Sequence, residues 1–99
     1  MSTTFEPVSA VVGSRFVAHT QHGPVELVLT EATERERGHL PEQFRTPFSL
    51  LFHGPDEPRL SQDTYTLDHP ELGRLQWMLV PVMPDTRAPN VPRYEALFG

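Results

Sequence analysis

Proline restricts the folding of this chain more than any other residue. Eleven of the 99 residues are proline, which is about twice the usual share of about 5%. Because proline breaks helix interiors and interrupts strand ladders, prolines at this density exclude long helices. The sequence therefore predicts short strands joined by stiff turns, in a single domain over residues 1–99.

Between the prolines, apolar residues recur at every second position, as expected for strands with one buried face. The side chains predicted to point inward are Phe16, Val25, Leu27, Leu29, Phe48, Leu50, Phe52, Tyr65, Leu67, Leu75, Trp77, Leu79, Tyr94, Ala96 and Phe98. About six such strands are typical of an all-β, mainly antiparallel fold. The sequence leaves a small barrel and a sandwich open.

Two segments depart from this alternation. Phe5, Val8 and Val12 lie at helical spacing before Gly13, which predicts one short helix within the N-terminal helical segment 1–13. Residues 31–46 are rich in Glu and Arg and contain few apolar side chains. This composition predicts a solvated, charged connector.

The charge and the residue types exclude several classes of function. The net charge is −5, and no cluster of arginines forms a basic stripe, which argues against binding to nucleic acid. The chain has no cysteine, so disulfides, thiolate nucleophiles and cysteine-bound zinc are absent. The first residues do not resemble a signal peptide, and the apolar stretch 77–83 is too short to span a membrane. We therefore expect a cytoplasmic protein that does not bind membranes, or a part of an assembly exported without a signal peptide.

The histidines are the first candidates for chemistry. His19 and His22 flank the end of a predicted strand, and a zinc site would need a third ligand, such as His53 or His69, from another turn. No serine lies in a nucleophile elbow and no glycine-rich loop could hold phosphate. The sequence therefore predicts surface histidines, no catalytic residue, no cofactor and no metal; a metal-dependent hydrolase remains an alternative.

Apolar residues also occur on the face opposite the predicted core. These residues are Leu51, Met78, Val80, Val82 and Leu97. Either the segment 5–12 covers them as a second layer, or they form an interface with a protein partner or a second subunit. The last strand, which ends beside Gly99, could also lie at a sheet edge and pair with another chain. A second alternative function is a small-molecule-binding barrel whose mouth is lined by Phe52, Tyr65, Trp77 and Tyr94.

Four motifs resemble an uncharacterised bacterial family of proteins of about a hundred residues. The motifs are FSLLFHGP (48–55), YTLDHPELG (65–73), LVPV (79–82) and YEALF (94–98). The resemblance covers the chain from Phe16 to its end. It implies no catalytic residues, and it implies a role beside phage-tail-collar-like proteins. Together with the absent catalytic motifs, it favours a non-enzymatic structural or interaction protein, such as an accessory subunit of a phage-tail-like or fibre-like assembly.

Overall fold

The computed structural model of the protein describes residues 4–35 and 47–99. One short helix, α1 (Phe5–Ser9), precedes six strands. The strands are β1 (Arg15–Thr20), β2 (Gly23–Glu34), β3 (Phe48–His53), β4 (Asp63–His69), β5 (Gly73–Val82) and β6 (Arg93–Phe98). The all-β class and the single short helix predicted from the sequence are confirmed.

The six strands form a closed antiparallel barrel in the order β1-β2-β3-β6-β5-β4. The chain first makes the meander β1-β2-β3 and then the meander β4-β5-β6. Two seams join these halves: β3 pairs with β6 along its whole length, and β1 pairs with β4. The structure thus selects the barrel over the sandwich. The edge position considered for the last strand is wrong, because β6 lies between β3 and β5.

The interior of the barrel contains the side chains that the alternation predicted. Twelve of them are at most 4% exposed, and Tyr65, Leu75 and Phe98 are half-buried against the same cluster. Aromatic rings occupy the centre, where Phe16 contacts Phe52 edge-on with ring centroids 5.4 Å apart. The alternation of apolar residues therefore predicted the core correctly. Because the interior is packed, we look for a functional site on the outer surface of the barrel.

The helix α1 packs against the barrel core. Val8 and Val11 are buried, and the ring of Phe5 meets the ring of Phe48 edge-on at 5.5 Å. The helical face predicted through Val12 is wrong beyond Val8, since Val12 is 44% exposed. The reason is that α1 ends at Ser9 and a turn follows, so the helical spacing does not extend to residue 12. The predicted helical segment 1–13 is thus much longer than the helix.

The charged connector predicted for residues 31–46 begins later than expected, because β2 continues to Glu34. A bulge between Leu29 and Glu31 shifts the register against β3. After the bulge, Ala32 pairs with the buried Leu50 and Glu31 pairs with the outward Leu51. One extra residue therefore turns the glutamate outward and the alanine inward, which simple alternation could not foresee. The rest of the predicted connector, residues 36–46, lies outside the described residues.

Candidate functional site

Among the described residues, His69 is the histidine whose ring lies within hydrogen-bond distance of a serine hydroxyl. Its Nε2 lies 2.8 Å from Ser14 Oγ, and its Nδ1 accepts the backbone N–H groups of Glu71 at 3.0 Å and Leu72 at 3.2 Å. Because Nδ1 is an acceptor, the neutral ring carries its proton on Nε2 and donates it to Ser14. Ser14 Oγ in turn donates to the carbonyl of Val11.

This direction of donation is the reverse of what nucleophilic catalysis needs. A catalytic base accepts the serine proton, whereas His69 offers a proton to Ser14. The imidazole is also 6% exposed and packs on the ring of Phe16 at 4.5 Å. The expectation of a surface histidine is therefore wrong for His69. Its position continues the inward alternation of Tyr65 and Leu67, and that signal could have placed it inside.

A second polar cluster lies on the outside of β1, β4 and β5. Asp68 accepts two hydrogen bonds from Arg74, from Nε to Oδ1 at 2.9 Å and from Nη2 to Oδ2 at 3.3 Å. Its Oδ2 also lies 2.6 Å from His19 Nε2. The hydrogen bond from Arg74, followed by the one from His19, lowers the pKa of Asp68 to about 2. A carboxylate that accepts hydrogen bonds from Arg74 and His19 and has such a low pKa is a poor general base at neutral pH.

The described residues do not bring together the ligands that the alternative metal-dependent hydrolase would need. Within residues 4–35 and 47–99, no three His, Asp or Glu side chains are grouped to hold a metal ion. An open cleft of about 450 Å³ lies beside His19, His22, Arg59 and Tyr65. In this cleft Arg59 is paired with Asp56 at 2.7 Å. The hydroxyl of Tyr65 donates to Ser61 O at 2.7 Å.

Three of the four residues considered as the mouth of a ligand-binding barrel, the second alternative, are buried. Phe52, Trp77 and Tyr94 are at most 4% exposed, and the Tyr94 hydroxyl accepts the backbone N–H of Leu60 at 2.9 Å. Only Tyr65 of the predicted set reaches the cleft. The aromatic side chains therefore belong to the packed interior.

The structure brings the predicted interface residues together on one outer face, which spans β3, β6 and β5 and which we call the β3-β6-β5 face. Met78 and Leu97 are 54% and 56% exposed, and Leu51, Val80 and Val82 are half-buried. Leu51 and Val80 flank the same β6 residue, Glu95, from opposite sides.

The alternative that residues 5–12 cover this face is wrong. Val8 and Val11 point into the core, and α1 lies against β2. Sequence reasoning also missed the charged residues at the centre of the face, Arg93 and Glu95, because each one taken alone resembles an ordinary outward residue of a strand. Their position at the centre of the face follows from the order of the strands in the barrel, which places β6 between β3 and β5.

Comparison with known families finds a match over almost the whole chain. A family described as a domain of unknown function, DUF6916, matches residues 3–98. The chain belongs to this family. No curated protein and no solved structure matches the DUF6916 domain described here. The resemblance to an uncharacterised family is therefore confirmed at that level.

The motifs behind the resemblance have structural roles in this DUF6916 domain. The first six residues of the FSLLFHGP motif form β3. Gly54 follows, and a Cβ added there would lie 3.0 Å from both Leu27 Cδ2 and Tyr94 Cε2. The YTLDHPELG motif contains His69 and ends at Gly73, whose φ of +79° favours glycine. These residue types follow from close packing and turn geometry. The one helix in the described part of the chain, α1, has five residues, far fewer than the roughly 20 that a membrane-spanning helix needs.

Proposed function

We propose that this protein is a non-enzymatic interaction domain that binds another protein chain through the β3-β6-β5 face. The observation that carries the proposal is the exposure of Met78 and Leu97, at 54% and 56%, on the same outer face. Together with Leu51, Val80 and Val82 they place five apolar side chains around Glu95 and Arg93 on one face, and apolar side chains grouped on a surface mark interfaces. Closure of the barrel pairs each described strand on both sides, so a partner must dock on a face and not add a strand.

The arrangement of the polar groups supports the non-enzymatic part of the proposal. His69 donates toward Ser14 and uses its other nitrogen to hold a turn. Asp68 is engaged by Arg74 and His19. These side chains already have structural partners, whereas Met78 and Leu97 on the β3-β6-β5 face are exposed to solvent.

We extend the proposal to the setting in which such a domain would act. The motif resemblance implies a bacterial protein that accompanies phage-tail-collar-like proteins. A small acidic domain with one apolar face suits an accessory subunit of a phage-tail-like or fibre-like assembly, because each copy would contribute a rigid docking surface.

The experiment compares single substitutions at matched exposed apolar positions. The tagged wild-type protein and its Met78→Glu, Leu97→Glu and Val12→Glu variants are expressed in the source cells. Associated proteins are identified by mass spectrometry, and the molar mass of each purified sample is measured by light scattering. We expect Met78→Glu and Leu97→Glu to abolish the association. Val12→Glu, at a residue 44% exposed but outside the face, should retain it.

Two results would overturn the proposal. One is a wild-type protein that is a monomer and captures no protein. The other is an association that survives in both face variants as it does in Val12→Glu.

A further inference from the structure

The central strand of the β3-β6-β5 face carries one positive and one negative side chain. Arg93 and Glu95 point outward on β6, on either side of the buried Tyr94. Two residues along an antiparallel strand are separated by about 6.8 Å. When a second copy of this strand runs in the opposite direction, the Arg of each copy can therefore face the Glu of the other.

The neighbouring strands place three apolar side chains and one histidine beside these two charges. On β5, Val80 pairs with Glu95 and Val82 pairs with Arg93. On β3, Leu51 pairs with Glu95 and His53 pairs with Arg93. The face therefore has two successive rows across the strands, and both rows contain a valine of β5.

We infer that the partner of the β3-β6-β5 face is a second copy of this chain, related by a two-fold axis that lies in the interface and crosses β6 at Tyr94. This inference rests on the proposed function and names its partner. The rotation stacks the two β6 strands antiparallel, so that Glu95 of each copy faces Arg93 of the other. It also places Val80 of each copy against Val82 of the other.

The contacts within one chain engage both charges only in part, since Arg35 pairs with Glu95 and Arg93 is near enough to Asp85 to help lower the pKa of that carboxyl. Arg35 reaches Glu95 Oε2 at 3.7 Å, which is longer than a charge-assisted hydrogen bond of about 2.8 Å. Arg93 uses its Nε to donate to Met83 O at 3.1 Å. Both terminal nitrogens of its guanidinium can still donate to a carboxylate.

The charge pattern also argues for a second copy over a different protein. A face of one sign would select a partner of the opposite sign. Here the face carries both signs in one strand, and the chain itself supplies the matching order. A pair of copies then meets with two attractive charge contacts surrounded by apolar side chains.

The test is a charge-reversal set measured by sedimentation equilibrium over a range of protein concentrations. We expect the wild-type protein to dimerise, and the single variants Arg93→Glu and Glu95→Arg each to weaken dimerisation at least ~10-fold, because each creates two like-charge contacts. The double variant, with both substitutions, should recover dimerisation. An equimolar mixture of the two single variants should form heterodimers, since every charge contact in that pair is attractive.

The matched control reverses an ion pair elsewhere on the barrel. Arg15→Glu and Glu26→Arg change the exposed pair between β1 and β2, which is 3.9 Å apart, and should leave dimerisation unchanged. Thermal melts followed by circular dichroism verify that each variant is folded. A dimer that ignores reversal at Arg93 and Glu95, or single variants that do not associate when mixed, would refute the inference.

The failure of this inference can be told apart from failure of the proposed function. A monomeric wild-type protein that captures another protein, and loses it in Met78→Glu, would refute the second copy as partner while supporting the interaction face. A monomeric protein that captures nothing would refute both.

Discussion

His69 connects three parts of the chain that are distant in sequence. It contacts Ser14 before β1, the ring of Phe16 within β1, and the backbone of the turn after β4. Since β1 and β4 form one of the two seams of the barrel, this single side chain stabilises the closure between the two halves. The contact with the turn depends on Nδ1, which accepts hydrogen bonds from the backbone N–H groups of Glu71 and Leu72.

Substitutions at His69 should separate these contacts. His69→Ala removes the acceptor for two backbone N–H groups and should lower the free energy of unfolding by about 2 to 4 kcal/mol. His69→Asn offers an amide oxygen near the position of Nδ1 and should lose about half as much. Urea unfolding followed by circular dichroism measures both. If the asparagine variant is no more stable than the alanine variant, the turn contacts are not the main contribution.

The ionisation of Asp68 makes the free energy of unfolding depend on pH in the acid range. The pKa of its carboxyl is lowered from 3.8 to about 2, first by the hydrogen bond from Arg74 and then by that from His19. A carboxyl with a lower pKa in the folded state contributes stability above the unfolded pKa and loses it as the pH falls. This contribution should thus be complete above about pH 4 and disappear between about pH 4 and 2. The effect is screened by salt because the groups are exposed.

Carboxyl-detected NMR titration tests this assignment directly. In Arg74→Gln, the pKa of Asp68 should rise toward its ordinary range, because the main hydrogen-bond donor is lost. Arg59→Gln removes an arginine that pairs with Asp56 instead, and should leave the titration of Asp68 unchanged. An Asp68 pKa that is the same in the wild-type protein and in Arg74→Gln would contradict the assignment.

At the scale of elements, the turn after α1 contains two neighbouring valines that differ in burial. Val11 is 6% exposed and Val12 is 44% exposed, although they are adjacent in sequence and chemically identical. Val11→Ala should lower the free energy of unfolding by about 1.5 to 3 kcal/mol through lost burial and a small cavity. Val12→Ala should change it by less than about 0.5 kcal/mol. Equal losses in urea titrations of the two variants would show that this segment is not packed as described.

The strands were predictable from the sequence wherever alternation alone decides the inward side. Phe48, Leu50 and Phe52 follow the strict period of two and are all buried. Prediction failed where a local irregularity resets the period, as the bulge does before Ala32 and as the end of α1 does before Val12. A single sequence carries no strong signal for the bulge, because it depends on how β2 pairs with β3.

The candidate face was predictable residue by residue but not as a surface. Leu51, Met78 and Leu97 were assigned outward from their own strands. Their adjacency follows from the order β3-β6-β5, which depends on long-range pairing. The role of the intervening Glu95 and Arg93 appears only once that order is known.

At the scale of the whole molecule, Trp77 reports on the assembly of the barrel. Its indole lies 5.7 Å from Phe16, 6.2 Å from Phe52 and 5.4 Å from Phe98, measured between ring centroids. These rings come from β1, β3 and β6, so both halves of the barrel contribute to its surroundings.

The fluorescence of Trp77 should therefore follow global unfolding. We expect its emission to move to longer wavelength in urea along the same transition as the far-ultraviolet circular dichroism, since a barrel closed at both seams unfolds as one unit. Fluorescence that changes well before the circular dichroism would show that one seam opens independently.

The two meanders have a consequence for how the polypeptide could be divided. The backbone crosses from one half to the other only once, in the segment 54–62 between β3 and β4. Cleavage there would leave two fragments, each with three strands consecutive in sequence and each exposing half of the apolar core. Neither fragment could close by itself, but each would be a template for the other. The domain is thus suited to complementation, in which two separately expressed peptides regain the native fold on mixing.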